Sequence, residues 1–174
     1  KKKFLLGTTA LIAAGIVIGG AIGTTIALKI EMTALPQLVA AFHSLVGLAA
    51  VCVATATFFA PEAYGIGSVG NIHTTSLIEL AIGTSIGAIT FTGSIVGFAK
   101  LQGLVSGSPL VFPGQHLLNA AMGIGMIALA AWMVMTNSPE AFWLIVALSL
   151  VFGFAIILPI GGADMPVVIS MLNS

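Results

Sequence analysis

Charges divide this chain into long uncharged runs, and those runs decide what it can fold into. Lys3 to Lys29 encloses 25 uncharged residues, Glu31 to Glu62 encloses 30, Glu79 to Lys100 encloses 20, Lys100 to Glu140 encloses 39 and Glu140 to Asp164 encloses 23. A helix needs roughly 20 mainly apolar residues to cross a bilayer. Five spans are predicted, over about 4–28, 35–60, 74–99, 116–136 and 140–160, with a sixth beginning near Pro166. The apolar runs are continuous, whereas the strands of a membrane barrel alternate over about ten residues. The fold class expected is all-α, a polytopic transmembrane helix bundle.

Composition supports the same reading. Only ten of 174 residues are charged, and the mean hydropathy is +1.19. At 6% charged, against about 25% in an ordinary globular domain, the chain cannot cover a water-facing surface. Disorder is excluded, because it needs low hydrophobicity and high net charge. Five scattered lysines build no phosphate-reading patch, so nucleic acid is not an expected partner. The lone Cys52 excludes an internal disulfide and a multi-cysteine metal site.

The connections carry turn chemistry. Thr33 is a candidate N-cap for the second span, with Pro36 in its first turn. Pro61 to Asn71 reads as a Gly-rich loop, Ser106 to Pro109 and Pro113-Gly114 as a second loop, and Thr136 to Pro139 as a tight turn. Alternation puts Lys29 and Lys100 on one side, which the positive-inside rule makes cytoplasmic or, in a mitochondrion, matrix. Lys1, Lys2 and Lys3 fall on the other side. They read either as the cut end of a longer protein or as the basic start of a signal peptide. The apolar run after them is too long for a signal core, so a fragment is expected.

Small residues recur at four-residue spacing (Gly15, Gly19 and Gly23; Gly83 and Gly87; Gly93 and Gly97), the pattern that lets helices approach closely in lipid. Gly65-Ile-Gly-Ser-Val-Gly70 matches G-x-G-x-x-G, but it follows no strand and opens no βαβ unit, so a loop is expected there.

In so apolar a chain the informative residues are polar ones at membrane depth, where they are costly and tend to face a bundle interior or a water path. His43 lies about eight residues into the second span, hence roughly 12 Å deep. Its side chain can exchange a proton near neutral pH, or it can serve only as a buried hydrogen-bonding group. Ser94 is about six residues from Lys100, and Asn173 lies nine residues past Asp164. The three can line a water chain together. Singly, a membrane Ser often bonds its own i−4 carbonyl and an Asn often joins helices. Glu79, about a turn and a half into the third span, is a candidate for proton access or simply reaches the interface. Asp164, the only Asp, is a candidate N-cap for the sixth helix or a contact outside the bilayer. His73 and His116 read as solvated, and three His on separate segments have no metal-ligand spacing. Trp132 and Trp143 flank the turn at Thr136–Pro139, where interfacial aromatics belong.

Five segments resemble the proton-translocating NAD(P)+ transhydrogenases, in the beta subunit or the matching part of the fused mitochondrial enzyme. They are Pro36-Gln-Leu-Val-Ala-Ala-Phe-His-Ser-Leu-Val-Gly-Leu-Ala-Ala50, Gly87-Ala-Ile-Thr-Phe-Thr-Gly-Ser94, Lys100-Leu-Gln-Gly103, Phe112-Pro-Gly-Gln-His-Leu-Leu-Asn119 and Gly161-Gly-Ala-Asp-Met-Pro-Val-Val-Ile-Ser-Met-Leu-Asn-Ser174. The resemblance runs from about residue 29 to the end; the first span and the loop 61–75 match loosely. It implies a membrane domain that conducts protons, coupled to hydride transfer from NADH to NADP+. His43, Ser94 and Asn173 correspond to the family's proton path, Asp164 to its contact with the NADP(H)-binding domain, and Glu79 to its outer acidic residue. NADP(H) and NAD(H) would be bound by domains absent from this chain, with no metal. Implied partners are other transhydrogenase membrane helices (the alpha subunit or its equivalent), both nucleotide-binding domains, the lipid bilayer and a second complete unit in a homodimer. The implied location is a bacterial cytoplasmic (inner) membrane or a mitochondrial inner membrane. The rival reading is a small secondary transporter or channel subunit using a buried histidine. Such folds often carry internal inverted repeats, and no convincing repeat is present.

Overall fold

The structure, a computed structural model, describes the backbone of residues 2–173 and the side chains of residues 7–171. It is nearly all helix. The order is α1 (Lys2–Lys29), α2 (Leu35–Phe59), α3 (Pro61–Tyr64), β1 (Gly67–Ser68), β2 (Asn71–Ile72), α4 (Thr74–Leu101), α5 (Gln115–Thr136), α6 (Pro139–Ile157) and α7 (Met165–Asn173). Among the described residues, α1, α2, α4, α5 and α6 are long and apolar enough to cross a membrane. The five predicted spans coincide with these helices to within a few residues.

The chain divides into two compact units, one ending at Leu35 and one starting at Pro36. The first is α1 followed by a single 3-10 turn, Met32–Ala34. Thr33 lies inside that turn, so it is not the cap expected of it; Glu31 holds the N-cap position and makes no side-chain cap. Pro36 then occupies the first turn of α2, where its missing N–H costs no hydrogen bond.

The second unit is built on α4. This helix buries the stripe Leu77, Ala81, Thr84 and Ala88, spaced as one helical face. It packs on α6 with the two chains parallel: Leu77 shares a cluster with Phe142, and Gly93 faces Ile157. Thr92 locks the pair. Its Oγ1 lies 2.9 Å from the carbonyl of Leu150 and 3.1 Å from that of Ala88. Gly153 makes the approach possible, since a Cβ there would collide with Thr92 Oγ1 and sit 2.7 Å from Ile89 O. The antiparallel partner α2 meets α4 through a second glycine contact: a Cβ on Gly47 would stand 2.6 Å from both Gly87 O and Phe91 N.

The two ends are finished differently. At the end where α4 and α6 begin, Phe58 stacks on Phe142 with ring centroids 4.8 Å apart, and Trp143 joins them edge-on. The Pro61–Asn71 segment, expected as a plain loop, forms the short helix α3 and the hairpin β1–β2. Asn137, in the left-handed conformation at the end of α5, accepts the Ile72 N–H at 2.9 Å and ties the hairpin down. Ser138 caps α6 by accepting the Ala141 N–H. At the opposite end, α6 stops at Ile157, and a 3-10 turn, Gly162–Asp164, leads into α7. Asp164, read as either an N-cap of the sixth helix or a contact outside the bilayer, is the last residue of that turn, directly before α7, and is exposed.

Candidate functional site

His43 and Ser94 lie on facing surfaces of α2 and α4. The register follows from the glycine contact. Gly87 meets Gly47, Ala50 and Val51. Ser94 is seven residues further along α4, two turns on and on nearly the same face. Two turns back along the antiparallel α2 from Ala50 is His43. The two side chains therefore stand at one depth. His43 is 9% exposed and Ser94 fully buried. The Ser94 Oγ has no hydrogen-bond partner in the protein. A buried hydroxyl left unpaired costs roughly 1–3 kcal/mol, and its usual alternative is a bound water. Ser94 thus departs from the common membrane serine that bonds its own preceding turn; Ser44, one residue after His43, does bond Ala41 O at 2.7 Å.

The third wall is α7. Ile169 packs over Gly97, 3.5 Å from where a Cβ would stand. Ala40, Val96, Met165 and Ile169 form one apolar cluster below the His43 level. Asn173 is one turn beyond Ile169, so its place on α7 approaches the level of Ser94. Its side chain lies outside the described residues.

Glu79 and Asp164 are not part of this cluster. Fifteen residues separate Glu79 from Ser94 on α4, a rise of about 22 Å. Glu79 is exposed and lines a cavity of about 390 Å³ between α2 and α4, together with Val53, Thr57, Ile66, Ser76 and Gly83. Asp164 is exposed at the other end. His73 and His116 are exposed on separate segments, and among the described residues no three His, Cys, Asp or Glu side chains gather to hold a metal.

Lys100, which in the sequence serves only to orient the spans, has partners in the fold. It is 6% exposed, and its Nζ donates to Leu158 O and Ile160 O, each at 2.6 Å. A charge in the last turn of an apolar span reads as interfacial by position alone; only the fold brings the end of α6 against it.

The transhydrogenase family model "NAD(P) transhydrogenase beta subunit" matches residues 2–174. The chain belongs to the NAD(P) transhydrogenase beta subunit family. Two relatives, both NAD(P) transhydrogenase subunit beta from Rhodospirillum rubrum, one of them from a named strain, are 59% identical over 165 residues. Those residues are 95% of this chain and 36% of each relative. With the family and five apolar helices among the described residues, the chain is an integral membrane protein.

The family's name contains a nicotinamide nucleotide, and the Gly-x-Gly-x-x-Gly stretch does not have the strand–turn–helix geometry that holds one. The Gly65–Gly70 sequence forms a β-hairpin instead of opening a long helix, and a Cβ on Gly67 would collide with Asn71 O. At Gly67 the hairpin's own backbone takes the space, and no long helix opens directly from the motif to present a cradle for a pyrophosphate.

Proposed function

We propose that this chain is the proton-conducting membrane part of the transhydrogenase, and that proton passage through it is coupled to hydride transfer from NADH to NADP+ in domains outside the chain. One observation carries the reading: Ser94 is fully buried with an unpartnered hydroxyl at the depth of His43. A water held between Ser94 and His43 satisfies that hydroxyl and gives the imidazole a proton donor and acceptor.

In this reading a proton reaches His43 from the Glu79 side. The cavity beside Glu79 lies between α2 and α4 on that side, and water entering it would shorten the path. The imidazole binds the proton and later releases it to water held by Ser94 and Asn173, returning to its neutral form. Its charge state biases the docking of the NADP(H)-binding domain at Asp164, and coupling of this kind is reciprocal. The NAD(H)-binding domain and the alpha-subunit helices complete the enzyme, which works as a homodimer of complete units in a bacterial or mitochondrial inner membrane.

The test is proton uptake linked to hydride transfer in the complete enzyme carrying His43→Ala in sealed vesicles. Loss of uptake with normal assembly is expected. Full coupled pumping sinks the proposal.

A further inference from the structure

At the inner end of the second unit, α4 and α6 finish side by side. Both helices run in the same direction, so their terminal carbonyls and the negative ends of their dipoles converge. Lys100, from α4, places its ammonium on the carbonyls of Leu158 and Ile160, the first residues past α6. A lysine that merely snorkels leaves its head in water; this one is buried. The same turn is gripped from its other side. The Leu110 N–H donates to Leu158 O at 3.2 Å, and the Gly162 N–H donates to Gly107 O at 2.8 Å. A Cβ on Gly162 would lie 3.3 Å from Gly107 Cα. Beside the lysine is a cavity of about 180 Å³ lined by Ser106 and Ser108.

We propose that Lys100 is a positioning residue: it clasps the Leu158–Asp164 turn to the end of α4, so that a shift of α4 at Ser94 displaces Asp164. Ser94 and Lys100 are six residues apart on one rigid helix, and the ammonium converts motion of that helix into motion of the turn. Gly107 and Leu110 make the turn a hinged flap and not a free loop. This inference rests on the coupling role proposed above for Asp164.

The experiment uses the complete enzyme in proteoliposomes with Lys100→Met, which keeps the length and removes the donors, and Lys100→Arg, which keeps the charge and the donors. Two quantities are read: amide hydrogen exchange at Leu110 and Gly162, and the response of hydride transfer to an imposed proton gradient. In Lys100→Met, exchange at both amides is expected to rise about tenfold, the factor implied by losing a charge-assisted hydrogen bond. The gradient response falls by a similar factor, and Lys100→Arg restores most of both. Unchanged exchange overturns the clasp, and faster exchange with an unchanged gradient response overturns its part in coupling. Should Lys100→Met fail to assemble, Gly162→Ala prises the clasp from its far side with the ammonium retained. There, faster exchange at Leu110 with a normal gradient response overturns the inference. Exchange is read without any hydride transfer, so failure of the clasp is distinguishable from failure of the Asp164 reading, which shows as unchanged NADP(H) affinity and turnover in Asp164→Asn.

Discussion

At the scale of single residues, the unpaired hydroxyl of Ser94 separates a structural role from a chemical one. A serine that holds helices together loses stability when truncated. Ser94 has no protein partner, so Ser94→Ala removes no protein hydrogen bond and leaves only the space of one oxygen. Its stability in detergent is expected to stay within about 1 kcal/mol of the parent, while proton-coupled turnover falls about tenfold or more, the scale of one general acid–base or water-positioning group. Thermal unfolding and vesicle pumping assays measure the two. A stabilised variant with normal pumping would mean that the site is dry. Thr92 gives the opposite expectation. Its hydroxyl reaches a carbonyl of the neighbouring helix, so Thr92→Val should lose about 1 kcal/mol of stability. Thermal unfolding checks this too, and an unchanged midpoint would show that the α4–α6 contact stands on packing alone.

At the scale of elements, the glycines decide how the helices meet, and the sequence does not say which of them matter. Gly83 and Gly87 form one ladder on paper. In the fold Gly87 lies against the backbone of α2, whereas a Cβ on Gly83 meets nothing within 4 Å. Gly47 and Gly153 belong to no ladder, yet each is pressed against a neighbour's backbone. Alanine at Gly47 or Gly153 must push two helices apart and is expected to cost about 1–3 kcal/mol, whereas Gly83→Ala is expected to be nearly silent. Melting curves of the three variants check this, and equal losses in all three would refute the glycine contacts. The spans themselves were legible, because a long uncharged run has few alternatives in a bilayer. His43 and Ser94 stood out for the same reason, as polar groups in apolar runs. Their shared depth depends on the register of α2 against α4, which two backbone contacts set and no pattern within one helix encodes. The burial of Lys100 was hidden likewise, because its partners are carbonyls from another helix and carry no side-chain signature. Thr33 misled because Pro36 starts α2 without needing a side-chain cap.

For the whole molecule, the charges of the second unit lie at opposite ends. Lys100, His116 and Asp164 stand where α4 and α6 finish; Glu62, His73 and Glu140 stand where they begin, with Glu79 five residues into α4 from that same end. Between these ends lies the apolar thickness that a proton would cross in the proposed function, with His43 placed deep within it. The positive-inside rule assigns the Lys100 end to the side from which the protein is inserted, and the nucleotide-binding domain proposed to dock at Asp164 would lie on that same side. The arrangement fixes an outcome for labelling in sealed vesicles of the complete enzyme. Cys52 faces outward from α2, so Cys52→Ser provides a background with little expected loss of stability. On that background His116→Cys should react with a membrane-impermeant thiol reagent only from the side of the Lys100 end, and Glu62→Cys only from the opposite side. Both substituted positions are exposed and away from the His43 level, so neither should depress turnover by more than about twofold, the range of surface substitutions. Reaction of both cysteines from one side would break the alternation of the spans, and with it the path that places His43 between two aqueous compartments.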